Sequence, residues 1–167
     1  FAPWATGLYF LGVLLMLGRL LIGLRGGHRL RSHSQPVDDP KVLAALAKQA
    51  LALGLAFTPA IAYCRRVVVP TVVGVVKPTI LLPFSFATGL TPDQIEMLLA
   101  HELAHIRRFD PLFNVVQRVI EALLFFNPAV WYLSRKARSE RENCCDDLVL
   151  AAGGCPLGYA SSLVEVA

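Results

Sequence analysis

The chain is short of charge. Asp, Glu, Lys and Arg make up 17% of its 167 residues, against about 25% in an ordinary soluble domain, while 55% of it is hydrophobic. That shortage argues against a chain solvated on all sides and leads us to expect a membrane segment. Histidine is scarce as well. There are four, two of them, His28 and His33, in a basic stretch near the N-terminus, so a histidine site elsewhere must be built on His101 and His105. The cysteines, Cys64, Cys144, Cys145 and Cys155, include no CxxC pair, which removes finger and ribbon zinc sites and gives no disulfide framework. Adjacent Cys144 and Cys145 would point in different directions on a helix, so the cysteines read as small, mostly buried side chains. Nor do aromatic and basic residues interleave, and the net charge of +4 gives no reason to expect a nucleic-acid partner.

The clearest feature present is apolar. From Trp4 to Leu24, WATGLYFLGVLLMLGRLLIGL is interrupted only by Arg19, and it is long enough to cross a hydrocarbon core of about 30 Å. Arg19 lies near the end of the run and can snorkel. A cleaved signal peptide is the competing reading, but its apolar core runs only about 7–15 residues. Arg25, Arg29 and Arg31 follow directly, and positive charge flanking a spanning helix marks its cytoplasmic side. Much of the net charge belongs to this cluster, which anionic headgroups of the bilayer would attract. The expected organisation is a transmembrane helix over 4–24, a basic juxtamembrane linker over 25–39 and a cytoplasmic domain over 40–167. The chain begins at Phe1 without methionine and stops on a predicted helix, so it is expected to be a piece of a longer protein.

Within the domain, Asp39-Pro40 pairs a capping residue with proline at the first helical position and predicts a helix to about Leu53. Val, Ile and Thr then dominate from Ala60 to Leu82. Pro70, Pro78 and Pro83 punctuate this stretch, which reads as two or three short strands, some of them at a sheet edge. Such an edge can remain a structural hairpin or accept an extended peptide as a further strand. Thr91-Pro92-Asp93-Gln94 predicts a helix with a capping box running to about Asp110-Pro111. The apolar segment PLFNVVQRVIEALLFF carries Gln117, Arg118 and Glu121 at its middle, where charge is costly in a membrane. It is read as a buried helix of the domain, with FFNPAVWY as an alternative point of contact with the membrane surface. Helices over 130–151 and 157–167 complete an α+β fold, mainly helical, with a short β-hairpin or small sheet.

The third of these helices contains LLAHELAHIRRFD. His101 and His105 are four residues apart, share one face and can offer two nitrogens to one ion, with Glu102 beside them. A third ligand must come from a helix that crosses this one. Asp110 is read as a partner of Arg107 or Arg108, and Glu121 as a partner of Arg118. Glu142 is favoured because Asp146 follows it on the same helical face, where a carboxylate can accept the second N–H of a ligating imidazole. The competing reading is a solvated charged face, which also includes Glu140, Arg141 and Asp147.

PTVVGVVKPTILLP, LLAHELAHIRRFDPLFN, FFNPAVWYL and RENCCDDLVL together resemble the BlaR/MecR-type membrane-embedded zinc metallopeptidases of the gluzincin group. The resemblance spans about residues 66–152. It implies a zincin-like fold and one zinc ion held by His101, His105 and Glu142. It further implies Glu102 as the catalytic glutamate, Asp146 as the carboxylate behind a ligand, and a bacterial cell membrane location with the catalytic domain in the cytoplasm. The expected activity is that of a membrane-anchored zinc endopeptidase acting on a protein or peptide in signalling, with a transcriptional repressor as one substrate the resemblance implies. The alternative is a signalling scaffold in which zinc is structural. Arg138, Arg141, Tyr132 and Tyr159 are candidates for a donor to the oxyanion, and none is assigned.

Overall fold

In the computed structural model, residues 3–86 and 91–151 are described. Among these residues five helices, α1 (Pro3–Ser32), α2 (Pro40–Ala52), α3 (Pro92–Arg107), α4 (Asp110–Leu123) and α5 (Pro128–Ala151), accompany four strands, β1 (Gln35–Pro36), β2 (Ala60–Cys64), β3 (Thr71–Val73) and β4 (Thr79–Pro83). The fold is α+β and mostly helical.

Local chemistry sets the start of two helices. The Asp39 carboxylate accepts from Lys41 N at 2.9 Å with Pro40 behind it. Thr91 Oγ1 accepts from Gln94 N while Gln94 Oε1 accepts from Thr91 N at 2.8 Å, a reciprocal capping box. The apolar faces of the two helices meet through Leu46, Leu53, Leu99, Leu103 and Ile106, and Lys48 Nζ pairs with Glu96 at 2.7 Å across their exposed side.

The sheet order is β1-β2-β4-β3, with β2 and β4 parallel and the outer pairs antiparallel. Strand β4 is buried along its whole length, which is why its sequence, TILLP, runs apolar without alternation. Ile80 and Leu82 face the α2–α3 core. Leu81 faces the other way, towards Ala62, Cys64, Val73 and Leu30 of α1. The sheet thus lies between the α2–α3 pair and the C-terminal end of α1. The edges are β1, which contains Pro36, and β3, which follows Pro70 as expected, whereas β4, which follows Pro78 and ends on Pro83, is central. At Gly74 the chain has a positive φ of 92°, and an added Cβ would meet the Lys77 carbonyl.

Three expectations change. The basic segment is no separate linker, because α1 continues through Arg25, Arg29 and Arg31 to Ser32; its end packs on the sheet and so stays helical. The helix bearing HELAH stops at Arg107 and not at Asp110-Pro111. Phe109 then adopts a left-handed conformation (φ 58°) and Asp110 opens α4 with Pro111 in its first turn. Finally, α4 is not a buried helix: only Asp110, Glu121 and Ala122 are buried along it, while Phe113, Val116 and Ile120 are exposed. The predicted helix over 157–167 lies outside the described residues, as do Cys155 and Tyr159.

Helix α1 is long and apolar enough to cross a membrane by length and composition. Of its side chains only Val13 is buried, so its apolar surface is not consumed by the domain.

Candidate metal centre

Helix α3 places both histidines of HELAH on one face, and α5 crosses it. The His101 and His105 Nε2 atoms lie 3.2 Å apart. Glu142 Oε2 is 3.7 Å from the first and 3.6 Å from the second. Each ring has a carboxylate at its other nitrogen: Asp146 Oδ1 is 3.2 Å from His101 Nδ1, and Asp110 Oδ2 is 2.7 Å from His105 Nδ1.

That arrangement decides the tautomers. A carboxylate at Nδ1 holds the ring proton there, leaving the lone pair on Nε2. Two ring nitrogens and a carboxylate oxygen then converge on one point, a donor set that could hold a cation. Ligand–zinc bonds of about 2.0–2.2 Å in a tetrahedron give ligand–ligand edges of about 3.3–3.6 Å, close to the three separations here. The donor set of two imidazoles and one carboxylate fits zinc. Burial, with His105 as the next cause, lowers the pKa of His101, and a neutral ring is the form that ligates.

Glu102, next to His101 on α3, is 7% exposed. Burial is the main cause that pushes its carboxyl up to about 7, opposed by His105 and reinforced by Glu142. Glu142, by contrast, has an exposed side chain, so the cluster opens to solvent on the α5 side.

Sequence reasoning missed one member. Asp110, expected to pair with Arg107 or Arg108, does lie 3.8 Å from Arg108 Nε, and its other oxygen is buried against His105. Arg107 turns away and donates to the Leu53 carbonyl at 2.6 Å. Cys145 joins the same pocket, with Sγ 3.3 Å from His105 Nδ1 and 3.5 Å from Asp110 Oδ2. A second group of potential ligands, His105, Asp110 and Cys145, uses the nitrogen of His105 that faces away from the first site. It is therefore the support of that site and not a second one.

Glu121, as expected, pairs with Arg118 at 3.2 Å. It is also 3.8 Å from Arg138 and does not enter the cluster. Of the oxyanion candidates, Arg141 donates to Gln117 Oε1 at 2.8 Å and Tyr132 is exposed. Both arginines serve the seam between α4 and α5.

A helix with HELAH, crossed by a second helix that contributes a carboxylate, defines a candidate mononuclear site of the HExxH class. The family profile described as BlaR1 peptidase M56 matches residues 2–167, and the chain belongs to that family. It is 30% identical over 158 residues to the regulatory protein BlaR1 of Bacillus licheniformis, a match covering 90% of this chain and 24% of the relative. The methicillin resistance mecR1 protein of Staphylococcus aureus is 32% identical over 90 residues, 54% of this chain and 15% of the relative. The chain therefore spans about a quarter of the Bacillus relative.

Proposed function

We propose that this chain is the zinc-peptidase segment of a membrane-anchored regulatory protein, cutting a cytoplasmic or membrane protein as part of a signal. The observation that carries the reading is the convergence of His101 Nε2, His105 Nε2 and Glu142 Oε2, with the buried Glu102 next to His101 on the same helix. Zinc bound there supplies a Lewis acid for a peptide carbonyl and lowers the pKa of its water towards about 7.

The chain's own residues do the rest. Glu102, with a carboxyl pushed up to about 7, is suited to take a proton from the attacking water near neutral pH and to return it to the leaving amine. Asp146 and Asp110 hold protons at the two Nδ1 atoms and so keep both rings oriented. The exposed side of Glu142 leaves an approach for an extended substrate.

The names of the relatives, a regulatory protein and a methicillin resistance protein, support a regulatory setting, in which a transcriptional repressor is one suitable substrate. The apolar α1 followed by arginines supports anchoring with the domain in the cytoplasm. A structural zinc scaffold is the other reading, but such a site has no use for a buried glutamate beside its ligands or for an open side.

Proteolysis by the full-length protein in membranes tests the two. Glu102→Gln, at unchanged zinc content, is expected to lower cleavage by at least about 100-fold. Cleavage and signalling at wild-type levels in that variant would favour the scaffold.

A further inference from the structure

The end of the α4–α5 hairpin packs far along α1. Tyr9 Oη donates to the Leu123 carbonyl at 3.1 Å, and the Tyr9 ring stacks on Phe125 at 6.2 Å. Gly12 is needed for this approach, since any Cβ there would overlap the Phe125 ring. At 1.5 Å per residue, Gly12 and Tyr9 lie about 10–15 Å along α1 from Arg19, inside the apolar run.

We infer that the α4–α5 hairpin dips into the bilayer from its cytoplasmic side, with its apolar tip among the acyl chains. The inference rests on the reading of α1 as a spanning helix: whatever packs at Tyr9 and Gly12 then lies at hydrocarbon depth.

The surface of the hairpin fits that location. Ile120, Leu123, Leu124, Phe126 and Leu133 are exposed, and no charged residue occurs between Glu121 and Arg135. Two polar side chains at the tip find partners within it. Asn127 Oδ1 accepts from Ala129 N at 3.0 Å, and Trp131 Nε1 donates to the Phe125 carbonyl at 2.8 Å, as immersion in lipid requires.

Charge resumes at one level on all three helices. Arg118 and Arg135 are about 12–14 Å from Asn127 along their helices, and Arg19 is about 10 Å from Gly12. Anionic headgroups complement a ring of cations at that level, whereas a protein partner covering the apolar tip would give the ring no purpose. The acid at this level, Glu121, is buried between Arg118 and Arg138, so it adds no free negative charge. Glu142 follows Arg135 by about 10 Å along α5. The candidate metal centre therefore faces the layer just beyond the headgroups, and its substrate is a segment held close to the membrane surface.

Nitroxide labels on the full-length protein in nanodiscs with anionic lipid test this. Cys144 and Cys155 are replaced by serine, and the buried Cys64 and Cys145 are left in place. Labels are introduced through Phe126→Cys, Leu133→Cys, Ser139→Cys and Leu11→Cys. Collisions with oxygen, which partitions into acyl chains, are compared with those of a water-soluble nickel chelate. Positions 126 and 133 are expected to favour oxygen as position 11 does, and position 139 to favour the chelate. Preference for the chelate at 126 and 133 would overturn the inference by placing the tip in water. Shielding from both reagents would overturn it in favour of a protein partner. Failure of the spanning reading would appear separately, as chelate access at position 11.

Discussion

The Nδ1 atom of His105 lies 2.7 Å from Asp110 Oδ2, across a turn at which Phe109 is held at a positive φ of 58°. The turn ends α3 and folds the first residue of α4 back beneath the helix that carries the two histidines. One bulky residue in a left-handed conformation thus fixes the orientation of an imidazole four positions earlier. Asp110→Ala is expected to weaken zinc affinity by about 10–100-fold, the usual cost of losing a carboxylate behind a metal-ligating histidine. Competition with a chromophoric chelator measures it, and Asp146→Ala should fall in the same range through His101.

The turn itself can be probed. A left-handed conformation costs a non-glycine residue about 1–2 kcal/mol and is worse for a β-branched side chain. Phe109→Gly should leave zinc affinity close to wild type, whereas Phe109→Val should lower both thermal stability and zinc affinity by moving Asp110 away from His105. Equal affinities in the two variants would show that the turn does not position Asp110.

Cys145 is buried beside Asp110, and burial, with the Asp110 charge as the next cause, pushes its thiol up to about 12. It therefore remains a protonated thiol at pH 8 and a poor nucleophile. Alkylation with iodoacetamide, read by mass spectrometry, should spare Cys145 in the native protein and modify it in denaturant.

Lys48 and Glu96 join α2 to α3 at 2.7 Å, and the hydrogen bond from Lys48 is the largest cause that lowers the Glu96 pKa. A carboxylate whose pKa falls on folding contributes stability above its unfolded pKa and loses it as pH drops through the folded value. Because the pair is largely exposed, Lys48→Met should cost only about 0.2–1 kcal/mol at pH 7. That difference should shrink towards zero as Glu96 is protonated in acid, which denaturant melts at pH 7 and at acidic pH can resolve.

The parts written in local chemistry were the legible ones. Thr91 with Gln94, and Asp39 with Pro40, announced their helices because a cap needs only its next few residues. His101, His105, Glu142 and Asp146 could be brought together on paper because spacings of four residues select helix faces. The place of Asp110 against His105 was not legible, since the positive φ at Phe109 has no counterpart in residue type; of the adjacent arginines Arg107 turns elsewhere, while Arg108 stays at 3.8 Å from the acid. Strand β1, two residues long, left no periodicity to detect. The parallel pairing of β2 with β4, around an intervening β3, is decided by burial on both faces of β4 and not by any turn signal. The polar residues of helix α4 argue against lipid contact and so predict a buried helix, yet Gln117, Arg118 and Glu121 engage one another and α5, leaving an apolar face outward.

Zinc content and peptide cleavage, measured side by side on the purified full-length protein and on Glu102→Ala, Glu142→Ala and Glu121→Ala, decide whether His101, His105 and Glu142 hold a catalytic zinc. One zinc per wild-type chain is expected, with zinc retained without cleavage in Glu102→Ala and both lost in Glu142→Ala. Glu121→Ala should keep its zinc. Full zinc occupancy in Glu142→Ala, or cleavage undiminished in Glu102→Ala, would contradict that assignment.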